Sequence, residues 1–149
     1  MEVVRRLLDG GAEVNARNAF GATALLYAAA DEAKAWLLMA RGADVNAQTR
    51  PGRTPLMIAA ACDGCSAVIK LALEKGADAK ARDIGGATAL EPAASAGDSE
   101  SVRLLLAAVA DTRNVSRSGM TPLLGAPFSI ATWSRSGRCW RRARIRTQR

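Results

Sequence analysis

The sequence predicts an all-α solenoid of stacked helix-turn-helix units joined by extended turns, and three observations carry that expectation. First, four segments align with one another: GATALLYAAA from Gly21, GRTPLMIAAA from Gly52, GATALEPAAS from Gly86 and GMTPLLGAPF from Gly119. Their threonines, Thr23, Thr54, Thr88 and Thr121, follow at spacings of 31, 34 and 33 residues, a period that marks a repeat array. Second, each is preceded at a steady offset by another signature: GAEVNAR from Gly11, GADVNAQ from Gly42, GADAKAR from Gly76 and a decayed VADTRNV from Val109. Third, one helix of every unit is small-sided and the other large-sided, so no unit buries both faces alone and neighbours must stack.

The elements follow in chain order. EVVRRLLD places the first helix at 2–9, ended by Gly10 and Gly11. The segment NARNAFG then reads as an extended turn in which Gly21 supplies positive φ. Thr23 caps a slim, alanine-rich inner helix at 24–30. A loop leads to an outer helix at 32–41 with the apolar stripe AWLLMA, where Trp36 is expected to pack, and Gly42 ends it in a left-handed residue. The pattern recurs with Thr54-Pro55 opening 55–61, Pro55 suiting the first helical turn, then VIKLAL in 66–75, ended by Gly76. It recurs again with inner helix 89–95 and outer helix 99–108, carrying SVRLLLA, and a last inner helix at 122–126. Thr88-Ala-Leu-Glu91 is a capping-box sequence in which the hydroxyl accepts from the Glu91 amide and Glu91 reaches back. Pro92 then falls just past the first three helical positions, predicting a strained or fraying start.

These motifs together resemble an ankyrin repeat array over about Met1 to Leu124. The resemblance implies a partial repeat at 1–15, repeats at about 16–46, 47–80 and 81–113, a partial repeat at 114–124, and a separate basic tail, expected to be disordered, at 125–149. It also implies a histidine three residues after each threonine, tying neighbouring repeats together. Leu26, Met57, Glu91 and Leu124 hold those places and the chain has no histidine, so that tie is expected to be absent, with Glu91 a substitute for it. Against the 33-residue norm, the Thr23 unit is two residues short near Ala30–Asp31 and the Thr54 unit one residue long near Cys62–Gly64. Both changes fall in loops, where length costs little. Met1 falls inside the second helix of what aligns as an earlier repeat, leaving an apolar side without a preceding neighbour and predicting marginal stability or self-association through uncapped ends.

Function classes narrow quickly. The formal charge of +7 is not spread along the chain: residues 1–124 balance 14 basic against 14 acidic side chains, and residues 125–149 hold seven arginines and no acid. Neither a membrane span nor a secretory leader is legible, so a cytoplasmic setting is the default expectation. Cys62-Asp-Gly-Cys65 is a C-x-x-C in a helix-to-helix turn with no second pair, read as two loop thiols rather than a redox or zinc site. The acid pairs Asp31–Glu32 and Asp98 with Glu100 open outer helices, where carboxylates favour the macrodipole. No phosphate loop or nucleophile–histidine pair exists, so no enzyme, cofactor or metal is expected.

The resemblance places the contact surface on the concave face of inner helices and turn tips. That assigns Phe20, Ala22 and Tyr27 in the first full unit, Arg50, Arg53 and Ile58 in the second, and Ile84 and Ser95 in the third, to an unidentified partner protein. Two other functions compete: nucleic-acid binding by the arginine-rich tail, and service as the targeting arm of a larger enzyme or regulator.

The tail itself admits another origin. Shifted by one base, Ala131 to Gln148 can be respelled DVEPVRALLAAGADPNA, an outer helix and turn whose GAD lies in the 33-residue register of Gly76 and Val109. A slip near Gly125 to Ser129 would make residues beyond about Leu124 a repeat read out of frame, with no evolved fold, Pro127 ending the last inner helix early, and nucleic-acid affinity that is nonspecific and lost with salt. Sequencing the coding DNA checks this: a shifted frame that spells no repeat restores the tail as a functional arm.

Overall fold

The computed structural model describes residues 2–108, 115–117, 119 and 121–125. Residues 109–114 of the decayed signature, Cys139, Trp133, Trp140 and the expectations placed on residues 126–149 of the tail fall outside those residues. Eight helices are present among the described residues: α1 Glu2–Asp9, α2 Ala24–Ala28, α3 Glu32–Ala40, α4 Pro55–Ala60, α5 Ser66–Glu74, α6 Leu90–Ala96, α7 Ser99–Ala107 and α8 Pro122–Gly125. Each end lies within two residues of its sequence expectation, and no strand occurs among the described residues.

The helices stack in two rows. Inner helices α2, α4, α6 and α8 touch in succession, outer helices α3, α5 and α7 do likewise, and each of α2, α4 and α6 packs on its own outer partner. Alanine permits the inner row: Ala29, Ala60 and Ala93 are wholly buried and let backbones approach. Two residues after each threonine a leucine, Leu25, Leu56 or Leu90, is at most 2% exposed, which contributes about 1.5–3 kcal/mol each. Together with Ile69 and Leu105 they form one cluster running through α2–α7. Leu123, fourth in that series, is 72% exposed, and no outer helix follows it among the described residues. Helix α1 buries no residue completely: Val4 and Leu8 pack on the core, Asp9 pairs with Arg41 at 2.7 Å, and Val3 and Leu7 face solvent.

Loop lengths absorb the period changes. Outer helices begin nine residues after Thr23 (at 32), twelve after Thr54 (at 66) and eleven after Thr88 (at 99). In the longest of these turns Cys62 and Cys65 are joined as a disulfide with Cα atoms 5.6 Å apart, which corrects the expectation of two separate thiols. Gly64, at φ +78° between them, turns the chain back so that the cysteines meet.

Between units, side-chain amides hold the stack. Asn15 donates to the Gly42 carbonyl (3.1 Å) and accepts from the Asp44 N–H (2.8 Å); Asn46 repeats this with Gly76 (3.0 Å) and Asp78 (2.8 Å). The next counterpart is Lys80, which has donors but no acceptor. The turn tips add one backbone bond per junction: Arg50 N–H to Phe20 C=O (2.9 Å), Ile84 to Pro51 (2.9 Å) and Arg117 to Gly85 (2.6 Å). Gly52 is required there for contact as well as for its φ of +81°, since a Cβ would lie 3.1 Å from Asp83 Cα.

The position three residues after the threonine is filled in three ways. All three threonine side chains are buried, so each hydroxyl needs a partner. Thr54 Oγ1 accepts from Met57 N–H (3.3 Å) in the expected cap. The N–H and hydroxyl of Thr88 both donate to Glu91 Oε2 (2.7 Å each), while Thr88 Oγ1 accepts from the Leu90 amide (3.4 Å) rather than that of Glu91. The capping box is thus half formed. Helix α6 starts one residue late, with Ala89 at ordinary right-handed angles, and Pro92 falls inside the first three helical positions, where its missing N–H costs no intrahelical bond. Beside Thr23, Leu26 offers no polar atom, and the Thr23 hydroxyl is buried without a hydrogen bond, so the expected side-chain cap is not made.

Outer helices α3 and α7 are capped by carboxylates, whereas α5 follows Cys65 without a side-chain cap. Asp31 accepts from Lys34 N–H (3.1 Å), and Asp98 accepts from the amides of Glu100 (3.1 Å) and Ser101 (3.3 Å) and from the Ser101 hydroxyl (2.6 Å). The Ser101 hydroxyl above all holds the Asp98 carboxyl below its ordinary 3.8, and Lys34 does the same for Asp31.

Two measurements follow. In thermal melts Thr23→Val is neutral or stabilising because it removes an orphaned hydroxyl, whereas Thr88→Val costs about 1–3 kcal/mol by stripping Glu91 of a donor; equal losses in both variants refute this account. Asp98→Ala costs about 1 kcal/mol near neutral pH as a lost cap. Because the folded carboxyl titrates below 3.8, its contribution is complete above that pH and fades as pH falls through the lower folded value, so the gap between wild type and variant closes in acid. A gap that stays constant through the same range shows that the charge is not involved.

Candidate functional site

The inner helices and turn tips share one face of the stack, and each turn is set by its first polar residue. Asn18 Oδ1 accepts from Phe20 N–H (2.9 Å) and Ala22 N–H (3.0 Å), Thr49 Oγ1 from Arg53 N–H (3.1 Å), and Asp83 Oδ1 from Gly85 (2.8 Å) and Ala87 (3.0 Å). These side chains replace the strand neighbours an extended turn lacks, so its tip holds one shape.

Between the first two tips the surface opens into a recess of about 300 Å³ whose walls include Phe20, Leu26, Tyr27, Pro51, Arg53 and Ile58. Phe20 and Tyr27 are 68% and 73% exposed, large apolar surfaces held out to solvent. The Phe20 backbone is held by the two tip hydrogen bonds, and the Tyr27 ring is tethered by Asn18 Nδ2, which donates to its hydroxyl at 2.9 Å. Since Asn18 Oδ1 is committed to two amides, its NH2 group must face Tyr27, and the phenol accepts.

The residues expected to form the contact surface divide accordingly. Phe20, Tyr27, Arg53 and Ile58 meet at the recess, with Ile58 half-buried. Ala22 lies in its wall, 8% exposed, within a small buried cluster with Leu26 and Ala47, and so offers little surface. Arg50 and Ser95 are exposed, and Ile84 is 65% exposed one tip further along. One alignment is corrected. The residue in register with Phe20, three before its threonine, is Pro51, and Arg50 stands one place earlier; the bonds Arg50 to Phe20 and Ile84 to Pro51 show the same one-place offset at successive junctions. Sequence reasoning therefore missed Pro51, together with Leu26 and Asn18. Counting back from Thr54 would have found Pro51. Leu26 was hidden because its position resembled that of an inter-repeat tie, whereas the structure uses it as an apolar wall.

Trp36 also departs from expectation, being 58% exposed. The buried residues of α3 are Ala35, Leu37, Leu38 and Met39, and a side chain one step from Ala35 turns about 100° off the face that Ala35, Leu38 and Met39 share. The acid pairs occupy outer-helix N-termini, where Asp31 and Asp98 cap and Glu32 and Glu100 lie in the first turn. Among the described residues no three acidic or cysteine side chains gather as a metal site, and no helix is long and apolar enough to cross a membrane.

A family model described as ankyrin repeats, in three copies, matches residues 1–83. No curated protein matches the chain.

Proposed function

We propose that the chain, which belongs to the ankyrin repeat family, is a protein-binding module without catalysis of its own, and that its contact surface is the inner-helix and turn-tip face. Ankyrin repeats are generally protein–protein interaction modules. The observation that carries the finer reading is the set of large side chains held exposed on that face: Phe20, Tyr27 and Ile84, at 65–73% exposure, with Arg50 and Arg53 beside them. A monomer gains nothing from presenting aromatic rings to water, and aromatic and arginine side chains are those that dominate protein interfaces. A preformed surface also loses little conformational entropy on association. On this reading the module spans residues 1–124, with Ala22 and Ile58 shaping the surface and Ser95 at its edge. Residues 125–149 take no part in binding. The exposed Val3 and Leu7 of α1 favour a second contact, with another apolar helical surface.

Given a partner, alanine at Phe20, Tyr27 or Arg53 weakens binding while leaving the thermal melt unchanged, with losses of about 1–2 kcal/mol or more at the aromatic positions. Unaltered affinity in all three variants refutes the proposed face.

A further inference from the structure

The recess between the first two turn tips has a composition more specific than a general contact surface, and its chemistry identifies what fills it. We infer that it takes one apolar side chain of a partner segment that carries an aspartate or glutamate next to that side chain; this rests on the inner-helix and turn-tip face being the binding face. The apolar requirement comes from the walls: Phe20, Leu26, Pro51 and Ile58, together with the ring of Tyr27, border an open recess of about 300 Å³. Such a space gains most from apolar surface and uses its few polar groups to orient the occupant.

The acidic requirement comes from the rim. Arg53 lines the recess and Arg50 stands on the same turn; both are exposed, and neither has a carboxylate partner among the described residues. Several arginines elsewhere in the stack are matched, as Arg17 is with Asp44, Arg41 with Asp9 and Arg103 with Glu100. The positive rim is therefore left uncompensated at the recess. The Tyr27 hydroxyl adds a directed donor. It accepts from Asn18 Nδ2, so its own proton is free to point at a ligand oxygen. An occupant with a carboxylate beside its apolar group satisfies the phenol and a guanidinium together, and a basic segment is repelled.

The test selects a random-peptide phage library on the full chain and measures the selected sequences as synthetic peptides by fluorescence anisotropy. The expected peptides share an aliphatic or aromatic residue within two positions of Asp or Glu. They lose about tenfold in affinity when that acid becomes its amide, or when the protein carries Arg53→Gln, and lose measurably with Tyr27→Phe. Selection on Arg53→Glu turns the preference to lysine and arginine. The seven tail arginines are common to every variant, so acidic peptides held by the tail are indifferent to Arg53 and overturn the inference. Selected peptides without acidic bias, or no enrichment at all, overturn it also. If peptides respond to Phe20→Ala but not to Arg53→Gln or Tyr27→Phe, the face stands and the acidic partner chemistry falls. If none of the three changes matters, both fall.

Discussion

Everything in this molecule depends on a helix pair being unable to bury itself. Each inner helix is narrow, with alanine where a bundle helix carries larger residues, and its leucine two places after the threonine is buried in a cluster shared by successive units. Leu25, Leu56 and Leu90 are buried where their own outer helices and the neighbouring units close around them, and the Asn15 and Asn46 amides with the tip-to-tip backbone bonds hold the spacing of the units. Burial alone is non-directional; the amides make it specific, since they bridge only when successive GAD turns are in register. The recess inherits its geometry from this arrangement. Phe20 belongs to one unit and Pro51 and Arg53 to the next, and neither half makes a pocket without the spacing between them.

Most of the fold was legible because the threonine and the GAD signature recur independently and agree. Two patterns with one offset fix where each helix begins and ends, and loop insertions cannot disturb either. What escaped were properties that periodicity does not encode. Whether Thr23 finds a partner depends on the single side chain at Leu26, and whether Trp36 is covered depends on a rotation of about 100° along α3. The order of polar contacts at α6 was likewise hidden, because Glu91 moves the helix start by one residue and so decides where Pro92 falls.

The candidate site was legible as a set of residue types rather than as a place. Phe20, Tyr27 and Arg53 stood out as aromatic and cationic residues on turn tips, but their convergence is tertiary, and a slip of one position put Arg50 where Pro51 stands. A hydrogen bond such as that from Asn18 to Tyr27 has no sequence signature beyond two polar residues nine apart. Its effect is large nonetheless, since it turns a mobile phenol into an oriented one. The Cys62–Cys65 disulfide belongs to the same category: the C-x-x-C spacing was visible, but the left-handed turn at Gly64 that closes it was not.

Lys80, in the place of Asn15 and Asn46, bears on the cooperativity of the whole array. In a linear stack each unit answers only to its neighbours, so the amide bridges act as couplings in a one-dimensional chain. Two junctions have such a coupling; at the third, lysine lacks the acceptor needed to build it. The recess lies within the amide-bridged part, and a ligand seated there stabilises by mass action the units joined through Asn15 and Asn46. The helices beyond Lys80 are tied to those units by the shared apolar cluster and by the Ile84–Pro51 bond, so that junction answers to the ligand through packing and one tip bond, with no amide bridge added to them.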